Sequence, residues 1–339
     1  MTEPIPLRPD RRPARSQPDP SEQAATGRPE RAPTPPARES TLRRADVYSR
    51  PVVDGREVRE NAWSRLRAFV TYSLQSAGER KEAEVGAQLA ALPGPTRSNT
   101  VAVISPKGGV GKTTSTFVLG NALASHMKLR VLAIDANPDF GTLASLAPDS
   151  VRSDRSLVDL LAELDRINSG PEMRPYISQV PTGLHLLAAP AHAEVMDEVT
   201  PSHYGEILAF LGRFYDVVLL DCGTGIGDPL ARFAVERSDQ TVVVSTPEWI
   251  TASKVLGALR QLRLERSTLV LNQAESDAAS RKVVEANFRK ERMRHRVAIP
   301  YDLRLRTMLD SATYSLEGLD RPVRLPVKRL ALAVGEQLV

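Results

Sequence analysis

The sequence predicts an α/β fold: a mostly parallel β-sheet with helices on both faces, a phosphate-binding loop after its first strand, and a disordered N-terminal extension. Three observations predict it. From residue 99 onward, short apolar strands alternate with amphipathic helices, the pattern of βαβ units. The first of these strands runs into the glycine-rich stretch Ser105–Thr114, and a helical pattern follows at once. Two later apolar strands end in aspartate, at Asp135 and Asp221, where a parallel sheet builds its ligand crevice.

Residues 1–56 are rich in proline and arginine and poor in large apolar side chains. Such a stretch cannot bury enough surface to offset its ordering entropy, so it reads as a disordered extension. Its arginines, among them Arg11, Arg12 and Arg43, are interleaved with acids such as Asp10 and Glu22. It serves either as a solvated tether or as a docking tail for a protein partner, with Pro33–Pro36 as a polyproline element.

Residues 57–95 form a helical linker segment. Trp63, Leu66, Phe69, Val70 and Leu74 fall at helical spacing, Gly78 breaks the run, and Val85, Leu89 and Leu92 resume it, which predicts two short helices. The remaining residues, 96–339, form the α/β domain. Strands are expected at 99–105, 130–135, 184–188, 216–221, 240–245, 268–272 and 296–299. Helices are expected at 112–127, 156–165, 201–213, 228–236, 249–265, 278–289 and 327–338.

With 339 residues the chain holds one such domain and its appendages. The net charge of +4 is a weak argument for an anionic partner. Cys222 is the only cysteine, so no intrachain disulfide can form, in agreement with a reducing cytoplasm. The N-terminus lacks the apolar core of a signal peptide, and no apolar run approaches the ~20 residues of a transmembrane helix. The five histidines show no metal-ligand spacing.

In the loop Ser-Pro-Lys-Gly-Gly-Val-Gly-Lys-Thr-Thr, the glycines Gly108, Gly109 and Gly111 let the backbone turn its N–H groups inward around a phosphate. The helix N-terminus adds positive potential there. Lys112 reaches for the terminal phosphates, and the Thr113 hydroxyl is a ligand for Mg²⁺. A dinucleotide fingerprint is excluded, because Gly109-x-Gly111 would need a third glycine where Thr114 stands. A second lysine, Lys107, is not explained by phosphate cradling. Leu132–Asp135 and Tyr215–Asp221 are apolar strands ending in an acid, and Asp221 is placed to hold Mg²⁺. The glycines of Cys222–Gly227 suit a loop that senses the γ-phosphate.

The stretch Lys107-Gly-Gly-Val-Gly-Lys-Thr-Thr114 resembles the deviant Walker A motif of the ParA/MinD family of P-loop ATPases. The resemblance implies ATP and Mg²⁺ as ligands, held by Lys107, Gly108, Gly109, Val110, Gly111, Lys112, Thr113 and Thr114. It implies a homodimer formed on ATP binding, in which Lys107 crosses to the other subunit's nucleotide. Asp135 matches the first acid of the family's Asp-x-Asp pair, near the metal. The second acid, which orients the attacking water, is replaced by Asn137, a departure that implies slow hydrolysis; Asp139 either substitutes for it or simply forms an Asx-type turn with Pro138. Asn272 resembles the family's adenine-contacting asparagine, and Pro300 and Asp302 the loop that flanks the base. The family implies a positioning or assembly switch; a nucleotide-binding scaffold that scarcely hydrolyses is the alternative. A looser resemblance is to actinobacterial MinD-like proteins associated with type VII secretion.

Two further stretches bear on partners. Arg281, Lys282, Arg289, Lys290, Arg292, Arg294, Arg296, Arg304 and Arg306 concentrate positive charge in 281–306. They suit non-specific DNA or a merely solvated face. Residues 326–339 read as the closing helix of the domain rather than a membrane-inserting tag. The location implied is cytoplasmic, peripheral to membrane or nucleoid.

Overall fold

The computed structural model describes residues 62–137, 141–225, 229–262, 264, 266–274, 278–291, 293 and 295–339. All fall within one unit of the chain, Gly55–Val339. The expected disordered extension lies outside the described residues, as do Asp139, Gly227, Arg292 and Arg294 and the side chains of 62–76 and Arg281.

Among the described residues eight strands form one sheet: β1 (Asn99–Ser105), β2 (Val131–Ala136), β3 (Ser178–Gln179), β4 (His185–Leu187), β5 (Val217–Thr224), β6 (Gln240–Ser245), β7 (Ser267–Asn272) and β8 (His295–Ile299). Their order is β3-β4-β2-β5-β1-β6-β7-β8, parallel throughout except for β3 against β4. The short antiparallel β3 was not expected; two residues carry no period to read. Every residue of β2, β6 and β7 is buried, as a sheet covered on both faces requires.

Alternate residues feed two cores. Val101 and Val103 of β1 pack on one face with Phe117, Leu123, Val327 and Leu330. Ala102 and Ile104 pack on the other with Ile207, Val255 and Phe288. The helices of the first face include α1 (Ala62–Ala91), α2 (Lys112–His126), α10 (Leu303–Asp310) and α11 (Arg321–Gly335). Those of the second include α3 (Leu157–Leu161), α5 (Ala193–Asp197), α6 (Pro201–Leu211), α7 (Pro229–Arg237), α8 (Trp249–Leu259) and α9 (Ala278–Arg289); α4 (Gly170–Met173) is a single turn. Helix α2 comes close to the sheet at Gly120, where a Cβ would lie 2.8 Å from Leu184 and 3.1 Å from Leu219.

Two helices depart from expectation. Helix α1 is one continuous helix that runs through Gly78 rather than two. A helical glycine costs only about 1 kcal/mol relative to alanine, and this one meets the Arg321 side chain, where a Cβ would collide. Helix α11 begins at Arg321, not after Pro326, and holds Pro326 within it. A proline so near the N-terminus forfeits one helical hydrogen bond, while burial of Val323, Val327, Leu330 and Val334 fixes the helix on the core. The C-terminal helix thus closes the domain. No helix among the described residues is long and apolar enough to cross a membrane.

Helix α1 is held to α11 by charge as well as packing. Glu82, 7% exposed, accepts hydrogen bonds from Arg324 and from Lys328 Nζ at 2.9 Å. Burial pushes the Glu82 carboxyl up, but these two cations outweigh it and hold the carboxyl below its ordinary range. Lys328 also lies 3.2 Å from the exposed Glu317. Glu82→Gln should therefore cost about 3 kcal/mol, the low end for breaking a buried pair, because Glu317 remains. Urea unfolding checks this; an unchanged midpoint would mean that the pair does not anchor the helix.

Candidate functional site

The carboxyl ends of β1, β2, β5, β7 and β8 meet at one edge of the sheet and bring the expected residues together. After β1 the chain turns through Gly109 (φ 74°) and Gly111 (φ 91°), conformations that a side chain disfavours. Helix α2 starts at Lys112, so the loop's amides and the first turn share one cavity of about 490 Å³. Gly109, Gly111, Lys112, Thr113, Thr114 and Asn137 line it, with Asn272 against the loop at Gly111 and Pro300 and Asp302 also in the lining.

Strands β2 and β5 pair in register so that Asp135 stands beside Asp221. Both are 1% exposed. Asp221 is pushed up to about 7, chiefly by burial; hydrogen bonds from Thr113 and Thr116 and the Lys112 charge oppose this, and Asp135 adds to it. The Thr116 hydroxyl lies 3.3 Å from Asp221 Oδ1. Asp135 is pushed up to about 6 by burial, against hydrogen bonds from the backbone N–H of Leu143 (2.9 Å) and Asn137 (3.3 Å). Lys112, 9% exposed, is lowered by burial while Asp221 pulls it up.

Thr113 and Lys112, which line the cavity, thus meet the buried Asp221, and Asp135 stands beside it. Among the described residues no group of three His, Cys, Asp or Glu side chains could hold a metal alone. A threonine hydroxyl and one or two carboxylates are the donor set of a hard cation that completes its shell with phosphate oxygens and water, so these residues fit Mg²⁺.

Lys107 does not enter the cavity. Its Nζ donates to Thr251 Oγ1 (2.8 Å) and lies 3.7 Å from Glu248 Oε2, at the start of α8. The next two residues, Trp249 and Ile250, are 60% and 69% exposed. Asn272 donates from Nδ2 to the Val110 carbonyl (2.9 Å), so its amide braces the loop and leaves Oδ1 for a ligand. Asp302 Oδ1 accepts from Leu305 N–H (2.6 Å) as the N-cap of α10. Gly108 faces Thr224, with a Cβ 3.5 Å from its methyl.

Sequence reasoning passed over several residues. A Cβ on Gly141 would lie 2.2 Å from Asp135 Oδ2, so this glycine lets the loop after β2 close over the carboxylate. Thr116 was legible only as the residue one turn beyond Lys112. Tyr301 lines the cavity beside Pro300, as does Arg306, which the sequence groups with the basic stretch instead. The 281–306 basic concentration is not one tract: Arg306 lines this cavity, Arg304 lies 3.6 Å from Asp320, and Arg289 and Arg296 line a separate hollow.

Residues 98–268 match the family model of an AAA domain, AAA_31. The chain is 31% identical over 253 residues to the ESX-1 secretion-associated protein EspI of Mycobacterium tuberculosis, which takes in 71% of this chain and 37% of EspI. It thus spans little more than a third of that relative's length. The ParA family ATPase of Chlorobium tepidum superposes with a TM-score of 0.59 at 21% identity, covering 69% of this chain and 98% of the other. The septum site-determining protein MinD of Pyrococcus horikoshii, complexed with Mg-ADP, gives 0.55 at 21% identity, covering 69% and 94%. At such identities the likeness shows the fold.

The elevated acids make a stability prediction. Raising Asp135 from its ordinary value to about 6 opposes folding by roughly 3 kcal/mol once the acid is ionised. The folded state holds the proton more tightly, so this cost is absent below about pH 4 and complete above about pH 6. Asp135→Asn should therefore melt higher than the parent at pH 8 in the absence of nucleotide, and the gain should shrink toward pH 5. Melting by circular dichroism at both pH values checks it; a pH-independent difference would rule out a carboxyl held up by burial.

Proposed function

Because the chain belongs to the ParA/MinD family of deviant Walker A ATPases, through its AAA-domain match over 98–268, we propose that it is an ATP-dependent, dimerising ATPase that acts as a positioning or assembly switch. The observation that carries this reading is the division between the loop's two lysines. Lys112 lies buried beneath the cavity, whereas Lys107 points onto α8 beside the exposed Trp249 and Ile250. A cation set outside its own site, next to an exposed apolar pair, suits a face completed by a second copy.

In this reading the loop amides and Lys112 bind the phosphates of ATP, and Asn272 Oδ1 and the Pro300–Asp302 loop flank the base. Thr113 and Asp221, with Asp135 beside them, would hold Mg²⁺, which supplies charge neutralisation to the phosphates. Residues 96–339 carry the ATPase, and the 1–56 extension and the 57–95 segment carry the contact with a protein partner. EspI is named for its association with secretion; we carry that setting to this chain, as a cytoplasmic protein peripheral to a secretion-associated complex. DNA contact through 281–306 is not part of this reading, since the described members divide between surfaces.

The lysines separate the steps. Lys112→Ala should abolish binding of a fluorescent ATP analogue, because no other described cation lies beneath the cradle. Lys107→Ala should bind the analogue normally but fail to dimerise with a non-hydrolysable nucleotide, as read by light scattering. Undiminished binding in the first variant would misplace the site, and a parent-like dimer in the second would remove the intersubunit role.

A second reading, a nucleotide-binding scaffold that scarcely hydrolyses, is favoured by Asn137, which lines the cavity where the family carries an acid. A neutral amide can orient water but cannot accept its proton. Asn137→Asp should raise kcat with little change in ATP affinity, the mark of an interaction made mainly in the transition state. Steady-state phosphate release with Asp139→Ala as control decides between the two: loss of turnover there, with no change in Asn137→Asp, assigns the water to Asp139.

A further inference from the structure

The sheet has one open edge beside a basic hollow. Strand β8 is last in the order and pairs only with β7 among the described residues. The Ile299 carbonyl turns toward β7, where it accepts from Ala274 N–H (3.0 Å). Backbone polar groups alternate in direction along a strand, so Val297 also faces β7, while the N–H and C=O groups of Arg296 and Ala298 face outward. No backbone partner meets them among the described residues. An unpaired row of this kind is a template for another strand.

The flanks of this edge are shaped and charged. A hollow of about 360 Å³ is lined by Arg296 and Ala298 of β8, Glu285 and Arg289 of α9, and Pro326 and Arg329 of α11. Helix α9 packs on one face of the sheet through Val284 and Phe288, and α11 on the other through Val327 and Leu330. The hollow therefore wraps around the strand edge. Other arginines of this chain meet carboxylates: Arg97 meets Asp239, Arg130 meets Asp216 and Arg260 meets Glu291. Arg289, Arg296 and Arg329 form no ion pair among the described residues; Arg296 Nη1 donates only to the Met293 carbonyl, at 3.0 Å. Among the described residues Glu285 is the sole carboxylate in the lining, against three arginines, so the lining they form is net positive.

We propose that this edge is a docking groove for an extended acidic segment of a partner protein, which joins the sheet as an added strand. Its backbone pairs with the outward groups of Arg296 and Ala298. Its side chains alternate between the faces, so carboxylates two residues apart meet Arg289 and Arg296, and one between them meets Arg329 on the opposite face. A phosphate backbone could use the guanidiniums, but it brings no donors for the outward carbonyls, which a peptide supplies. The groove lies apart from the nucleotide cavity and does not depend on the switch reading.

The test uses the full chain and a fluorescein-labelled glutamate–valine peptide, read by fluorescence anisotropy. Saturable binding is expected, with a loss of about tenfold or more for a peptide N-methylated at alternate amides and for Arg289→Ala combined with Arg329→Ala. Ala298→Pro removes one outward donor at a position where an edge strand tolerates proline, and should also weaken binding. If that variant does not fold, the N-methylated peptide makes the same test on the unaltered protein. Circular dichroism of the arginine variant separates lost contacts from lost fold. Absence of saturable binding overturns the proposal. So does equal binding of the N-methylated peptide, or a random-sequence DNA duplex that binds through the same arginines and displaces the peptide with no N-methylation effect, which would make the surface a polyanion site.

Discussion

Two buried carboxylates stand side by side because β2 and β5 are in register there, and a buried ammonium interacts with one of them, Asp221. Asp135 and Asp221 are both pushed well above their ordinary range, and Lys112 is pushed down. Three charges in a space with little water are costly unless each is answered. The surroundings answer them in part: Thr113 and Thr116 donate to Asp221, and the backbone of Leu143 and Asn137 donates to Asp135. The remainder is a mixed requirement, for positive charge at the acids and negative charge at the lysine. A cation joined to a phosphate chain is one ligand that meets both, so the strain of the free protein and the chemistry of its proposed ligand have one origin. Gly141 belongs to the same constraint, since only a residue without a Cβ lets the chain lie against Asp135.

The loop above these groups divides its cations by geometry. Lys112 begins a helix whose N-terminus points into the cavity, so its side chain is desolvated wherever the loop closes. Lys107 precedes the glycines and sits on the outer wall, where Thr251 and Glu248 receive it. That contact is long on the carboxylate side and both side chains are partly exposed, so it is weak. A weak partner within the subunit suits, on the switch reading, a cation with another use, since little is lost when that contact is exchanged. On the switch reading, the subunit surface around Trp249 and Ile250 brings apolar burial to the same place, and the lysine brings charge.

Much of this was legible in the sequence, for definite reasons. Strands β1, β2, β5, β6 and β7 are short apolar runs buried on both faces, and β8 is a shorter one at the edge, so hydrophobicity alone marks them. The acids at the ends of β2 and β5 announce themselves by interrupting such runs. The loop is legible because its backbone demands glycine at φ values that other residues avoid. The unread features are those decided by tertiary contact. Gly78 fails to break α1 because α11 and the Glu82 cluster hold that helix together; the glycine's intrinsic cost is small beside them. Pro326 fails to delimit α11 because a buried apolar face extends on both sides of it. The engagement of Lys107 with Thr251 and of Asn272 with Val110 joins residues far apart in the chain, which no local pattern encodes. The basic stretch 281–306 looked like one surface in sequence, but the turn from β8 into α10 sends its members to different places.

The open edge and the nucleotide cavity are joined by a short physical route. Strand β8 pairs with β7, β7 ends at Asn272, and the Asn272 amide holds the Val110 carbonyl of the loop. Contiguity of this kind does not by itself couple two sites; coupling needs an element with two arrangements that each ligand favours differently. Strand β8 is already formed and in register over its five paired residues, and the outward groups of Arg296 and Ala298 are set by that register. An added strand would therefore meet a preformed edge and leave Asn272 where it is. The proposed groove then acts as a tether, bringing a partner to the domain with the same affinity whatever occupies the cavity, and on the switch reading the switching arises on the opposite side of the loop, where Lys107 contacts α8.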